Sequence, residues 1–186
     1  MEQAASLKNF NMITIICSTN RNESVSKQVS LQYQEILSTL DVSSEIVDLA
    51  DLPKDFIVSA LYEQSGKNEK FNPIRERMKS STKYIFIVPE YNGSFPGVLK
   101  TFIDGLEFPS TFTGKKCAMV GISSGVQGGG LALSHLTDIM NYCGTHVLAQ
   151  KPKLARIENA MDDGGKITDK LYLELLQQQA KAFLEF

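Results

Sequence analysis

No glycine occurs before Gly66 in this 186-residue chain, and that absence excludes two large nucleotide-binding classes. The first apolar run is Met12 to Cys17, MITIIC. A Rossmann GxGxxG or a Walker P-loop would need glycine in the turn that follows it, and there is none. Long apolar runs are missing as well. Nothing approaches the roughly 18 to 20 residues of a bilayer span, and Met1 to Met12 lacks a basic stretch followed by an apolar one. A cytoplasmic protein with no membrane segment is expected. Neither sign of charge is in excess: the formal net charge is -2, which argues against nucleic acid or an anionic membrane as the principal partner. Cysteine is scarce. Cys17, Cys117 and Cys143 are odd in number and widely spaced, and two of them fall in expected strands, where a buried reduced thiol is the usual state. Cys143 and His146 are close in sequence, but no second pair stands ready to complete a metal site, so no metal is expected.

Hydrophobic residues make up 42% and charged residues 22%, the balance of an ordinary globular protein. The length suits one α/β domain over residues 1–186. Met12 to Cys17 reads as a strand, and Ser24 to Thr39 as a helix with Val25, Val29, Tyr33, Ile36, Leu37 and Leu40 on one face. Glu45 to Leu49 is a second strand, and Ala50 to Asn72 a long connection with one short helical turn. A helix to Ser80 leads into Tyr84 to Val88, an aromatic and β-branched run suited to a strand covered on both faces. After the polar turn Pro89 to Phe95, Pro96 opens a helix whose stripe is Val98, Leu99, Phe102, Ile103 and Leu106. Lys116 to Ile122, Leu131 to Gly144, Thr145 to Ala149 and Thr168 to Glu185 are then strand, helix, strand and helix. Leu171, Leu175, Leu176 and Phe183 form the last helix's inward face. Phe108 and Phe112, on the loop before Lys116, either cap the core or meet a partner.

Strands alternating with helices imply a doubly wound parallel sheet. For five strands the flavodoxin-like order 2-1-3-4-5, with helices on both faces, is the natural arrangement, and its ligand crevice opens where strands 1 and 3 diverge. The loops Ser18 to Glu23 and Pro89 to Phe95 meet there, and Ser123 to Gly130, SSGVQGGG, opens beside them.

The first loop offers hydroxyls, amides and Arg21 at a helix N-terminus, a setting that favours an anion such as a terminal monophosphate. The plainer alternative is that Ser24 caps the helix and Arg21 is solvated. Cys17 before an anion-ready loop also invites comparison with low-molecular-weight tyrosine phosphatases. Their Cys-x5-Arg spacing is not met, because the sixth position holds Glu23, whose charge would repel a phosphoryl group. Tyr91 and Asn92 of the second loop suit a flat ring with polar edges. The glycines of the third let backbone N–H groups approach such a ring, unless they simply make a flexible turn.

The stretch Pro89 to Gly105, PEYNGSFPGVLKTFIDG, resembles the PEYNGS-PG-LKN-ID hallmark of the NADPH-dependent FMN reductase family, flavodoxin-like proteins that include quinone, azo-dye and chromate reductases. In the strand 1 loop, Cys17 replaces the family's glycine and Asn20 stands as an insertion before Arg21. Gly105 and Leu106 follow Asp104 where the family often has an aromatic. The resemblance implies FMN as cofactor, NADH or NADPH as donor and a small-molecule acceptor such as a quinone, free flavin or azo compound. It implies that Ser18, Thr19, Arg21, Ser24 and Ser26 hold the phosphate. Pro89, Glu90, Tyr91, Asn92, Gly93 and Ser94 would line the isoalloxazine, and Ser124, Gly125 and Gly128 would close its far edge. The chemistry resides on FMN, with no catalytic side chain required, and a homodimer or homotetramer is implied. A flavodoxin-like electron carrier is the alternative, against which the low net charge argues.

Overall fold

The structure is a computed structural model that describes residues 12–186. The reading of the N-terminal stretch as free of a targeting segment therefore lies, but for Met12, outside the described residues. The elements run β1 (Ile13–Cys17), α1 (Val25–Thr39), β2 (Ser44–Asp48), α2 (Phe56–Ser59), α3 (Asn72–Ser80), β3 (Lys83–Pro89) and α4 (Gly97–Gly105). They continue with β4 (Lys116–Ile122), α5 (Gly130–Tyr142), β5 (His146–Val147), β6 (Lys153–Leu154) and α6 (Lys170–Glu185). All strand pairings are parallel, in the order β2-β1-β3-β4-β5, with β6 also on β4.

Residue parity along the strands decides which helical layer each side chain meets. Ile13, Ile15, Ile85, Ile87, Ala118 and Val120 point to one face and pack with Val29, Tyr33 and Leu37 of α1 and with Leu176, Ala180 and Phe183 of α6. Tyr84, Phe86, Val88, Cys117 and Met119 point to the other, against Leu99 and Phe102 of α4 and Leu133 and Leu136 of α5. Both faces are covered, so β1 is buried along its whole length. Among the described residues, no helix is long and apolar enough to cross a membrane.

The fifth strand departs from expectation. It is broken in two: β4 advances four residues, Cys117 to Gly121, while its partner advances six, Val147 to Lys153. Pro152 has no N–H to give, and the chain bulges before β6 resumes pairing. Inside the gap the Gln179 side chain donates to Met119 O and to Gln150 O, each at 2.9 Å, and accepts from Tyr33 Oη at 3.0 Å. This buried amide stands in for the missing strand. It also sets the inward stripe of α6 as Leu176, Gln179, Ala180 and Phe183. Leu171 lies off that stripe and faces solvent, correcting the expected inward face.

The long connection after β2 holds three short turns rather than one: α2 and single 3-10 turns at Leu49–Asp51 and Tyr62–Gln64. Phe56 explains Gly105. A Cβ on Gly105 would stand 3.0 Å from the Phe56 ring, so a side chain there would push α2 off α4. Of the two loop aromatics, one caps the core and the other is left at the surface. Phe112 is buried edge-on to Tyr84, with ring centroids 5.4 Å apart, and Phe108 is exposed.

Candidate functional site

The carboxyl ends of β1, β3 and β4 bring residues 18–24, 89–96 and 123–129 to one rim, around a cleft of about 180 Å³. Ser24 caps α1, its Oγ accepting from Lys27 N at 3.2 Å. Among the described residues no acceptor meets the N–H groups of Val25 and Ser26. These belong to the first turn of a 15-residue helix, so unpaired donors and the positive end of the dipole face the cleft together. Thr19, Arg21, Ser24 and Ser26 line it from this side. Arg21 is exposed, while Thr19, Ser24 and Ser26 are buried. Ser18 is placed differently from its expected role. It is buried, its hydroxyl donating to Ile16 O at 3.2 Å, because its backbone N–H continues the β1–β3 ladder to Ile87 O.

The second loop is a two-residue reversal. Asn92 and Gly93 have φ of 51° and 74°, the double left-handed geometry for which Asn-Gly is favoured. Backbone bonds between Tyr91 and Ser94 close it, 2.7 Å in one direction and 3.0 Å in the other. The turn therefore projects Tyr91 back over the first loop, where its hydroxyl meets Thr19 Oγ1 at 2.6 Å. Ser94 points the other way, to His135 Nδ1 at 2.9 Å. Pro89, Glu90 and Tyr91 line the cleft, whereas Asn92, Gly93 and Ser94 form the turn behind it. Glu90 Oε2 is buried without a hydrogen-bond partner among the described residues.

The third loop is braced by the segment after β6. Arg156 N donates to Gly125 O and Ile157 N to Ser123 O, at 2.9 and 3.1 Å. Ser123 Oγ donates to Gly125 O and accepts from Gly128 N, both at 3.0 Å. Ser124 lines the cleft, and Gly125 is exposed at its rim. Gly128 is buried instead. A Cβ there would lie 2.7 Å from the Lys153 carbonyl carbon, so this glycine allows loop and β6 to touch and is not open to the cleft. Ile157 and Glu158 complete the wall. Sequence reasoning missed them, since nothing in Arg156 to Ala160 suggests that a broken fifth strand delivers it to the rim.

Cys17 is fully buried, its Sγ 3.7 Å from Ser24 Oγ. Burial, followed by the nearby Asp48 carboxylate, pushes its thiol pKa from 9.0 up to about 12. It holds its proton at neutral pH and is no nucleophile.

The order of the sheet and a cleft at its switch point define a flavodoxin-like fold. Residues 11–156 match the family described as NADPH-dependent FMN reductase, and the chain belongs to that family. It is thus an oxidoreductase, of a family that uses FMN and NAD(P)H. It is 33% identical over 149 residues to the NAD(P)H-dependent FMN reductase of Pseudomonas aeruginosa, covering 76% of each chain. It is 30% identical over 173 residues to a 2-hydroxy-1,4-benzoquinone reductase of a Burkholderia species, covering 89% of this chain and 90% of that one. Among solved structures it is similar to the flavoenzyme NAD(P)H:(acceptor) oxidoreductase FerB of Paracoccus denitrificans. There the TM-score is 0.74 at 24% identity, over 94% of this chain and 95% of the other.

Proposed function

We propose that the cleft holds FMN and that the protein, a single cytoplasmic domain, passes reducing equivalents from NADH or NADPH to a small acceptor such as a quinone. One observation carries the reading. The cleft at the β1/β3 switch point combines unpaired N–H groups of α1 with an unpaired buried oxygen of Glu90. Those groups fit FMN, which has a terminal phosphate to accept from the first and hydroxyl and ring N–H donors for the second. Thr19, Arg21, Ser24 and Ser26, with the N–H groups of Val25 and Ser26, would hold the phosphate. Pro89, Glu90, Tyr91 and Ser124 would bound the rest, with Ser18, Asn92, Gly93, Ser94, Gly125 and Gly128 fixing the loops that carry them.

FMN supplies the hydride chemistry when bound. The chain's own contribution is to hold the phosphate, fix the turn at Tyr91 and bury the Glu90 carboxylate edge. The curated relatives named as quinone reductases support a quinone-class acceptor.

A homodimer is part of the proposal. A groove of about 660 Å³ between α4, α5 and residues 106–112 is flanked by exposed Phe108 and Tyr142 and carries Lys100 and Asp104, paired at 2.7 Å. A cation and an anion one turn apart on the same face are self-complementary about a two-fold axis. Sedimentation of the wild type beside Phe108→Glu tests it. A monomeric wild type rejects it.

The test of function is direct. Bound flavin is released with acid and identified, and NADH or NADPH oxidation is followed with a small quinone and no other protein. FMN with turnover is expected. A colourless protein that ignores added FMN, or one releasing FAD, overturns the cofactor assignment. Reduction that needs a second protein supports the electron-carrier alternative.

A further inference from the structure

His135 was not singled out by the sequence and does not line the cleft, yet it is one of two side-chain anchors of the turn that does. Between Glu90 N, bonded to Ile122 O at 3.0 Å, and the cap of α4 at Pro96, residues 91–95 make few hydrogen bonds to the rest of the protein. Among the described residues those bonds are Tyr91 Oη to Thr19 Oγ1 and Ser94 Oγ to His135 Nδ1. The first ties the turn to the phosphate-side loop. The second ties it to α5, the helix that the third loop leads into. Phe95 adds apolar packing behind the turn. Asn92 is a non-glycine residue at positive φ, a conformation that needs support from its surroundings to persist. Tyr91 and Ser94 sit at the two ends of the reversal and are fastened in opposite directions, so their anchors together set its tilt over the cleft.

We infer that His135 is a positioning residue: through Ser94 it fixes the turn carrying Pro89, Glu90 and Tyr91, and so the bed on which FMN lies. The inference rests on the FMN reading above. It concerns position, not proton transfer, because His135 is on the exposed face of α5 outside the cleft.

The test is the FMN dissociation constant and the visible spectrum of bound FMN in a set of variants. Loss of one ordinary hydrogen bond corresponds to about two- to tenfold in affinity. His135→Ala should weaken FMN by that amount and shift its spectrum, with the thermal midpoint of the FMN-free protein unchanged. His135→Asn should restore both, since an amide placed near the position of Nδ1 can donate or accept. His135→Leu, equal in bulk but without a polar atom, should not. In a Ser94→Ala background, His135→Ala should have no further effect, because the bond is already gone. A wild type that binds no FMN defeats the flavin reading itself. A wild type that binds FMN while His135→Ala equals it, or while His135→Ala acts undiminished in the Ser94→Ala background, defeats the His135 assignment alone.

Discussion

At the amino ends of the strands, Lys83, Lys115 and Lys116 each direct an ammonium at backbone carbonyls that helix ends leave unpaired. At the carboxyl ends, donors and an acceptor stand without partners. Lys83 Nζ reaches Phe183 O and Leu184 O at 2.7 and 3.1 Å, in the last turn of α6. Lys115 Nζ reaches Lys79 O at 2.6 Å, Met78 O at 3.4 Å and Tyr84 Oη at 2.9 Å, closing α3, and Lys116 holds Phe186 O. Burial lowers the pKa of Lys83 and Lys115, for Lys83 with help from the Lys116 charge. That desolvation is tolerated because the carbonyls repay it with charge-assisted bonds. On the opposite rim Val25 N, Ser26 N and Glu90 Oε2 have no partner among the described residues. At the amino end the chain itself meets the helix-end carbonyls, leaving Ser44 Oγ as an isolated buried hydroxyl without a partner among the described residues. The carboxyl end differs in gathering donors and an acceptor around one cleft, and that difference marks the site without appeal to any relative.

From that contrast, the largest effect of mutating the amino end is on folding, and it leaves the cofactor alone. Lys115→Met should cost about 3 kcal/mol, the upper end for charged hydrogen bonds, because three acceptors lose their partner together. Urea unfolding measures it, and FMN affinity should be unchanged. The carboxyl end should answer in reverse. Arg21→Ala removes the positive charge on the phosphate side of the cleft. FMN should bind about tenfold more weakly, the lower end of that range since Arg21 is exposed, with apo stability within about 0.5 kcal/mol of wild type. Excess FMN should restore turnover. An Arg21 variant that unfolds early, or a Lys115 variant that loses FMN, would erase the distinction.

Tyr91→Phe probes the seam between the two first loops. It deletes the 2.6 Å bond to Thr19 Oγ1 and keeps the ring, so FMN should weaken about threefold, within the range for a neutral hydrogen bond. Titration of the apoprotein by flavin fluorescence reads this. An unchanged affinity would mean that the Ser94–His135 bond and packing hold the turn without Tyr91 Oη.

Most of the scaffold was legible in the sequence because periodicity reports burial. Ile13 and Ile15 against Ile16, or Ile85 and Ile87 against Phe86, already encode two covered faces. The Asn92-Gly93 reversal was legible because few dipeptides tolerate two left-handed residues. What was not legible depends on distant partners. Gln179 reads as an ordinary polar helix residue until the break opposite Met119 gives its amide something to satisfy. Gly128 reads as ligand-facing until Lys153 is seen against it. Glu158 reaches the rim, and His135 reaches Ser94 behind it, only because the chain after β6 and helix α5 are folded there, and neither has a local signal.

Cys17 is where the comparison predicts the smallest effect at neutral pH. It stands at the rim end of β1, immediately before the anion-ready loop, yet it belongs with the groups that the chain itself meets. It is fully buried, and Ser24 Oγ and Asp48 lie around it. Asp48 is itself answered by Lys27 at 2.9 Å. Cys17→Ala should therefore keep reductase turnover near wild type, as no thiolate is present to lose. Its signature should appear in alkali. Between 9.0 and about 12 an unfolded chain gives up this thiol proton while the native one keeps it. The unfolded state then binds fewer protons, so stability falls with rising pH across that window and is fully present below it. Cys117, raised from 9.0 to about 12 by burial, contributes in the same direction. Lys83 and Lys115, lowered by burial, contribute in the opposite direction. Those three residues are common to both proteins, so the difference between wild type and Cys17→Ala isolates one thiol: the variant should lose stability less steeply above pH 9. A wild type that hydrolyses an aryl phosphate, with that activity absent from Cys17→Ala, would return Cys17 to the reactive class and overturn its placement here.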